Sequence, residues 1–170
     1  AELGPRTAPF AADVSQAHQV ADMVARVTAT LGAPDVLVHN ALADFRFDGD
    51  ARTPLDRLTW TEIAQQAETA VGGALICMQA LRPHFAAQRF GRVITIGTNL
   101  VQNPVVPYHD YTASKAALLA LTRTAAKELG PLGVTVNMVS GGLLRTTDAS
   151  AARSEEHMSE LQSRHNLGLR

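Results

Sequence analysis

Tyr111 and Lys115 are the side chains of this sequence whose types and spacing best suit proton transfer. A helix over this segment would place both side chains on one face, because they are four residues apart. A tyrosine hydroxyl has a pKa of about 10, which is too high for easy proton exchange near neutral pH. A nearby lysine ammonium favours the phenolate and lowers that pKa. The pair is therefore a candidate general acid and base for an alcohol or a carbonyl.

The tyrosine–lysine pair also has a simpler interpretation, since a helical tyrosine with a lysine one turn later is usually a surface pair. Tyr108 is a rival acid or base, but Thr112 stands four residues after it, so no lysine accompanies it. The spacing alone therefore does not assign catalysis to Tyr111.

Other residues with reactive side chains fit structural roles better. His84 and His109 lack the spacing of metal ligands, so we predict no metal site. Cys77 lies in an apolar helical segment, which predicts a position in the core. One polar segment lacks the pattern of a calcium loop and is predicted to be a solvated loop; its acidic residues are Asp44, Asp48 and Asp50.

The composition indicates a globular chain rather than a disordered one. The 170 residues are 46% hydrophobic and 18% charged, which is enough apolar material for a core. The net charge of −1 argues against a nucleic acid or an anionic membrane as partner. The single cysteine favours a reducing compartment, and no apolar run approaches the roughly 20 residues of a membrane helix. The first residues resemble no signal peptide, so we expect a soluble cytoplasmic chain.

Short apolar runs alternate with amphipathic segments along the chain. Strands are predicted at 36–38, 92–96 and 134–139, with a weaker pattern at 7–12. A helix capped by Ser15 is predicted to end at Leu31, before Gly32, where a helix favours a left-handed residue. Residues 42–58 are predicted to be a loop.

Two longer helices follow in the pattern. Thr59 and Glu62 have the spacing of a capping box, which predicts a helix over about 60–81 with Pro83 near its end. Residues 111–129 are predicted to form a helix that stops at Gly130 and Pro131. Strands separated by such helices predict an α/β fold with a parallel sheet, and the continuously apolar strands predict helices on both of its faces. Ligands of these sheets bind where the strands end, and polar or small residues stand there: Asp13, Asn40, Gly97, Thr98, Gly141 and Gly142.

With these motifs in order, the chain resembles the short-chain dehydrogenase/reductase family over residues 1–150, and within it the 3-oxoacyl-(acyl-carrier-protein) reductase type. Tyr111 to Ala117 (YTASKAA) is similar to the family's active-site helix, and Gly91 to Ile94 (GRVI) to the start of its fifth strand. Three further segments match in order, namely Asp13-Val14, His39 to Leu42 (HNAL) and Val136-Asn137 with Gly141 to Thr146 (GGLLRT).

The resemblance implies a role for each matching residue. Tyr111 would exchange a proton with the substrate oxygen, Lys115 would hold the nicotinamide ribose, and Thr98 stands where the family has its catalytic serine. The residues implied in binding NADP or NAD, with no preference readable, are Asp13, Val14, Asn40, Ala41, Tyr111, Lys115, Leu144 and Thr146.

Some positions depart from the family pattern. Ala70 replaces a helix asparagine that helps to anchor a proton-relay water, and alanine has no side-chain hydrogen bond to offer. Leu42 and Gly141 replace a glycine and a proline of the matching motifs. Thr98 keeps the hydroxyl of the usual serine, but its methyl group stiffens χ1 and crowds the site.

The resemblance also implies a Rossmann-like doubly wound parallel sheet that is incomplete, with the first two strands and the last strand missing. The family's glycine-rich turn for the pyrophosphate has no counterpart here. Arg153 to Ser163 (RSEEHMSELQS) resembles the translation of a common sequencing-adapter oligonucleotide, with Met158 as the one difference. We therefore predict a partial domain over 1–152 and a non-native tail over 153–170, against the alternative of a genuine charged helix.

The predicted function is that of an NAD(P)(H)-dependent oxidoreductase that interconverts a 3-oxoacyl-type ketone and a secondary alcohol. The resemblance implies a homo-tetramer or dimer for the parent protein, and the fragment itself is expected to be inactive. Two alternatives stay open, a non-catalytic dinucleotide-binding or scaffold protein and a sugar-nucleotide epimerase or dehydratase. The Gly141 to Thr146 segment argues against the second.

Overall fold

Three parallel strands and the helices between them make up the part of the chain that the structure describes. This computed structural model describes residues 7–45, 47–48 and 50–142. The strands are β1 (Val36–His39), β2 (Gly91–Thr98) and β3 (Val134–Gly141), in the order β1-β2-β3. The prediction of a parallel α/β sheet is confirmed, and β2 and β3 each continue two residues beyond Ile96 and Val139.

Four α-helices accompany these strands: α1 (Ala17–Leu31), α2 (Trp60–Ala67), α3 (Gly73–Gln88) and α4 (His109–Leu129). The predicted helix over about 60–81 is real, but a π-helical turn at Glu68–Gly72 divides it into α2 and α3. It also passes through Pro83 and ends only at Gln88, where Arg89 adopts a left-handed conformation with φ of 51°.

Of the three caps predicted for α1 and α2, two follow the sequence, and α4 ends before Gly130 as predicted. Thr59 and Glu62 form the predicted capping box, with the Glu62 amide donating to the Thr59 hydroxyl at 3.3 Å and the Thr59 amide donating to the Glu62 carboxylate at 2.8 Å. Gly32 ends α1 with φ of +92°. The prediction that Ser15 caps α1 is wrong. Gln16 precedes the helix, because the amide and hydroxyl of Ser15 both donate to the Asp13 carboxylate, at 2.9 and 2.8 Å.

The segment 7–12 is not a strand, contrary to the sequence pattern. A strand exists only through a partner, and none of the described strands pairs with this segment. The register of the sheet joins Val36 to Arg92 and His39 to Thr95, and runs from Gly91–Val134 to Thr98–Gly141 on the other side of β2. The carboxyl ends of all three strands therefore lie at one edge, as the site requires.

The described helices cover one face of the sheet, although the sequence predicted helices on both. Val93 and Val136 are buried against the helices, whereas Val38 on the opposite face of β1 is 56% exposed. Burial alternates along β3 for the same reason. The core lies between the covered face and the helices; its fully buried members include Val20, Phe85 and Leu118, and Cys77 joins it as predicted.

Candidate active site

Lys115 is the most deeply placed cation of the described chain. It projects from α4 toward the carboxyl end of β2, is 4% exposed, and donates from Nζ to the Ile96 carbonyl at 2.7 Å. Burial lowers the pKa of Lys115, because removal from water disfavours its ammonium form. An ammonium has three N–H donors, so it can serve further acceptors beside Ile96.

Tyr111 lies one turn before Lys115 on the same face of α4, as predicted. The Lys115 ammonium is 5.7 Å from the centre of its ring, and the Thr98 hydroxyl at the end of β2 is hydrogen bonded to the Tyr111 side chain. The three catalytic candidates selected in the sequence analysis, Thr98, Tyr111 and Lys115, therefore lie close together in the structure. Thr98 also accepts a hydrogen bond from the Leu100 amide at 3.3 Å, which orients its hydroxyl.

The pKa of Tyr111 lies above its ordinary value, which differs from the sequence expectation. Burial is the largest cause and raises the pKa, while the hydrogen bond from Thr98 lowers it and only in part offsets the burial. The lysine does not reverse this direction, since its ammonium is held on the Ile96 carbonyl rather than on the phenol oxygen.

Two phenylalanines that the sequence analysis missed bury Tyr111. The Phe45 ring stacks on the Tyr111 ring with centroids 4.6 Å apart, and the Phe47 ring meets it edge-on at 5.5 Å. Both also contact Tyr108, which is buried beside them. We call Phe45 and Phe47 the aromatic cover. The available signal was the pair of aromatic residues in a loop rich in charged residues, because aromatic side chains in such a loop usually pack against the protein.

His39 and the π-helical turn form the boundary of the site beneath Lys115. His39 ends β1 with only 3% of its surface exposed, and its Nε2 lies 3.1 Å from the Ala70 carbonyl oxygen. Ala70 stands in the π-helical turn where the resemblance places an asparagine. The structure therefore presents a backbone carbonyl here, bonded to a histidine whose role the sequence analysis did not foresee.

The residues implied in cofactor binding lie along the same edge. Asn40 and Ala41 follow β1 directly, and Asp13 and Val14 precede α1, with Val14 packed near Gly73. The hydrogen bonds from Ser15 hold the pKa of the Asp13 carboxyl below its usual range, so it stays an ionised acceptor. Leu144 and Thr146 lie outside the described residues, as does the predicted tail over 153–170.

The loop 42–58 forms a cleft of about 230 Å³ against the start of α4, between Phe45, Tyr108 and the side chains around them. Asp44, Asp48 and Asp50 are exposed there, as the predicted solvated loop requires, and Asp48 accepts from the amide of Asp50 at 3.0 Å. Within the described ranges, no group of three or more potential ligands could hold a metal ion. None of the described helices is both long and apolar enough to span a membrane.

Comparison with known proteins shows which sequences this chain is similar to. The family model described as Enoyl-(Acyl carrier protein) reductase matches residues 1–169. A 3-oxoacyl-[acyl-carrier-protein] reductase FabG of Staphylococcus aureus is 34% identical over 148 residues, which cover 85% of this chain and 56% of the relative. A "short-chain type dehydrogenase/reductase" of Picea abies is 32% identical over 153 residues, which cover 89% of this chain and 55% of the relative. The chain thus spans about half the length of these relatives.

A solved structure with a similar fold is that of a gluconate 5-dehydrogenase from Burkholderia cenocepacia, in complex with NADP and tartrate. The TM-score is 0.77 over 90% of this chain and 58% of that one, at 24% sequence identity. At this identity the likeness shows the fold alone, which is a Rossmann-like α/β fold.

Proposed function

The chain belongs to the short-chain dehydrogenase/reductase family, and from that membership we propose that it forms part of an NAD(P)(H)-dependent oxidoreductase acting on a ketone and its secondary alcohol. The observation that carries the proposal is the grouping of Thr98, Tyr111 and Lys115 at the carboxyl ends of the strands. We propose a 3-oxoacyl-type substrate because the Staphylococcus relatives are named as reductases of that class.

The residues at this edge fit a nicotinamide dinucleotide. The buried Lys115 ammonium has one carbonyl partner at 2.7 Å and retains N–H donors that suit the hydroxyl groups of a ribose. Asn40 and Ala41 would flank the adenosine, and Asp13 and Val14 would flank the adenine, where the Asp13 carboxylate could accept a hydrogen bond from the adenine amino group. When bound, the nicotinamide ring supplies or receives the hydride.

Proton transfer is the task that we assign to the chain's own side chains. During reduction the Tyr111 hydroxyl gives its proton to the carbonyl oxygen while hydride adds to the carbonyl carbon, and oxidation of the alcohol reverses both transfers. Thr98 holds the same oxygen by a hydrogen bond. Lys115 places a positive charge 5.7 Å from the centre of the Tyr111 ring, and a positive charge at this side of the site favours the phenolate that forms.

The raised pKa of Tyr111 bears on this proposal. A raised pKa disfavours the phenolate, so the resting hydroxyl is in the form that donates the proton during reduction.

To test the proposal, the complete open reading frame that encodes this sequence is expressed. The oxidation of NADPH and NADH is then measured with a panel of 3-oxoacyl thioesters and simple ketones. Tyr111→Phe is the test variant, because it keeps the ring and its stacking on Phe45 and removes only the hydroxyl. We expect a loss of turnover of about 10²-fold or more. Unchanged turnover in Tyr111→Phe would refute the assigned mechanism.

A non-catalytic dinucleotide-binding protein is the second candidate, favoured by the aromatic cover that buries Tyr111. It predicts that nicotinamide fluorescence reports NADPH binding while no ketone of the panel is turned over. A homo-oligomeric assembly and a cytoplasmic location stay predictions.

A further inference from the structure

His39 is a buried titratable residue that the proposed reaction does not use. It ends β1, is paired in register with Thr95 of β2, and is 3% exposed. A buried histidine resists protonation because its charged form loses the solvation of water. Burial accordingly lowers the pKa of His39, which favours a neutral ring.

The bond to Ala70 fixes which nitrogen of the neutral ring carries the proton. The Ala70 carbonyl oxygen can only accept, so Nε2, at 3.1 Å, must donate. A neutral imidazole has one N–H, and Nδ1 is therefore left as an acceptor. The bond holds a π-helical turn in which the Gly73 amide donates to the Glu68 carbonyl, five residues back.

The space for the ring is created by a glycine. A Cβ atom placed on Gly73 would lie 3.2 Å from Cε1 of His39 and 2.7 Å from Cγ2 of Val14. Any side chain at the first residue of α3 would therefore push the ring away from the Ala70 carbonyl or displace Val14. His39, Ala70 and Gly73 thus depend on one another.

Lys115 is the charged group that His39 meets. Its ammonium bonds to Ile96, the residue after the register partner of His39, and its positive charge is one of the causes that lower the pKa of His39. The other described groups acting on the ring are the carbonyls of Ala70 and Thr69 in the π-helical turn, and neither of them titrates.

We propose that His39 is a positioning residue for the tyrosine–lysine pair: as a neutral Nε2–H donor it anchors the π-helical turn beneath Lys115 and keeps that ammonium the single positive charge of the site. This role rests on the proposed function of Lys115. It predicts a fixed tautomer of His39, electrostatic coupling between the two residues, and a dependence of Lys115 on the hydrogen bond of His39.

The first test is NMR of the 170-residue chain labelled with ¹⁵N-histidine, with the His39 signals assigned by His39→Asn. We expect the Nε2–H tautomer, and a ring that stays neutral at pH values at which an ordinary, exposed histidine is already protonated. In Lys115→Met, loss of the like charge should raise the proton affinity of His39 roughly threefold or more. An ordinary titration in the wild-type chain, a proton on Nδ1, or no increase in Lys115→Met would overturn the proposal.

The second test follows Lys115 by ¹³Cε chemical shift, which is simple because the chain has two lysines, Lys115 and Lys127. His39→Leu removes the donor and should move the pKa of Lys115 toward its ordinary value, because water then enters around the loosened turn. His39→Asn keeps a donor and should leave the Lys115 titration close to that of the wild type.

Cys77→Ala is the matched control, since it empties a buried site of α3 without touching the lysine. If His39→Leu and Cys77→Ala lower the melting temperature alike and neither moves the pKa of Lys115, His39 is a core residue only and the proposal fails. Should His39→Leu not fold, the tautomer and the Lys115→Met comparison still decide the question. None of these readouts needs turnover, so failure here is distinct from failure of the proposed oxidoreductase activity.

Discussion

The site is built from two regions of unlike construction. Its floor consists of His39, Thr95, Ile96 and Lys115. Buried and part-buried hydrogen bonds join these strand ends to α4 and to the π-helical turn. Its roof is the aromatic cover, Phe45 and Phe47, which a loop of half-buried and exposed residues holds against Tyr111. The floor depends on directional polar contacts, whereas the roof depends on non-directional apolar contact. A change in the floor should therefore disturb the fold, and a change in the roof should mainly disturb Tyr111.

The strongest test of this contrast truncates one large side chain of the core that supports the floor, Leu118, and one of the roof, Phe45. Leu118 is 0% exposed and lies one turn after Lys115 on the face of α4 that meets the sheet. We expect Leu118→Ala to lower the free energy of unfolding by about 2–5 kcal/mol, because the packed helices and strands close the cavity only in part. Phe45→Ala should cost about 1 kcal/mol, since a loop can settle into the space left behind. Urea denaturation measures both, and equal losses would contradict the contrast.

The second test asks whether the roof raises the pKa of Tyr111. In a Tyr108→Phe background, Tyr111 is the only tyrosine and its ionisation can be followed by absorbance. Phe45→Ala should lower the pKa of Tyr111, because burial is the largest cause of its elevation. Phe90→Ala, at the opposite end of β2, is the control and should leave this pKa in place.

The raised pKa of Tyr111 also predicts how the stability of the fold changes with pH. A pKa raised by folding stabilises the protein below the unfolded value of about 10, and this contribution disappears as the pH rises through the folded value. The loss of stability above about pH 10 should therefore be smaller in Phe45→Ala than in the chain that retains Phe45. A difference in the opposite direction would show that the aromatic cover is not what buries Tyr111.

The smallest expected effect concerns Glu62, which anchors the loop that carries Phe45 and Phe47. Glu62 accepts hydrogen bonds from Thr53 in this loop, at 2.6 Å, and from Thr59, and these bonds hold its pKa below the ordinary value. A depressed carboxyl pKa stabilises the fold above the unfolded value, and the contribution is lost as the pH falls through the folded value.

Glu62→Gln should therefore show a weaker decline of the urea midpoint between about pH 7 and about pH 3 than the wild-type chain. Glu68→Gln, on the exposed side of the π-helical turn, is the matched control for loss of one carboxylate. The change should stay small because Glu62 is at the surface. An equal effect in both variants would mean that Glu62 does not anchor the loop.

Much of the floor could be predicted from sequence because it depends on local patterns. The β-branched run at 92–96 and the Ala- and Leu-rich run at 111–129 each specify an element through its own residues. Helical spacing then places Tyr111 and Lys115 on one face, and the end of β2 brings Thr98 to them. The segment 7–12 failed as a strand because a strand depends on a partner, which lies outside its own pattern.

The roof and the histidine could not be predicted in this way, since they arise between segments that are distant in the sequence. Nothing in the pattern of 42–58 shows that Phe45 folds onto Tyr111, 66 residues later. Likewise the contact of His39 with Ala70 needs both the end of β1 and a π-helical turn, and apolar periodicity does not distinguish that turn from α-helix.

The sequence by itself determined the types and order of most elements and selected the pair that we propose as acid and base, because these follow from local spacing and from resemblance to a family. Only the tertiary structure decided the electrostatic state of that pair. The ammonium of Lys115 is bound to a strand carbonyl, and burial raises the pKa of Tyr111 where spacing alone predicted a decrease. The physical reason is that a pKa depends on burial and on contacts through space, and both exist only once distant segments have packed together.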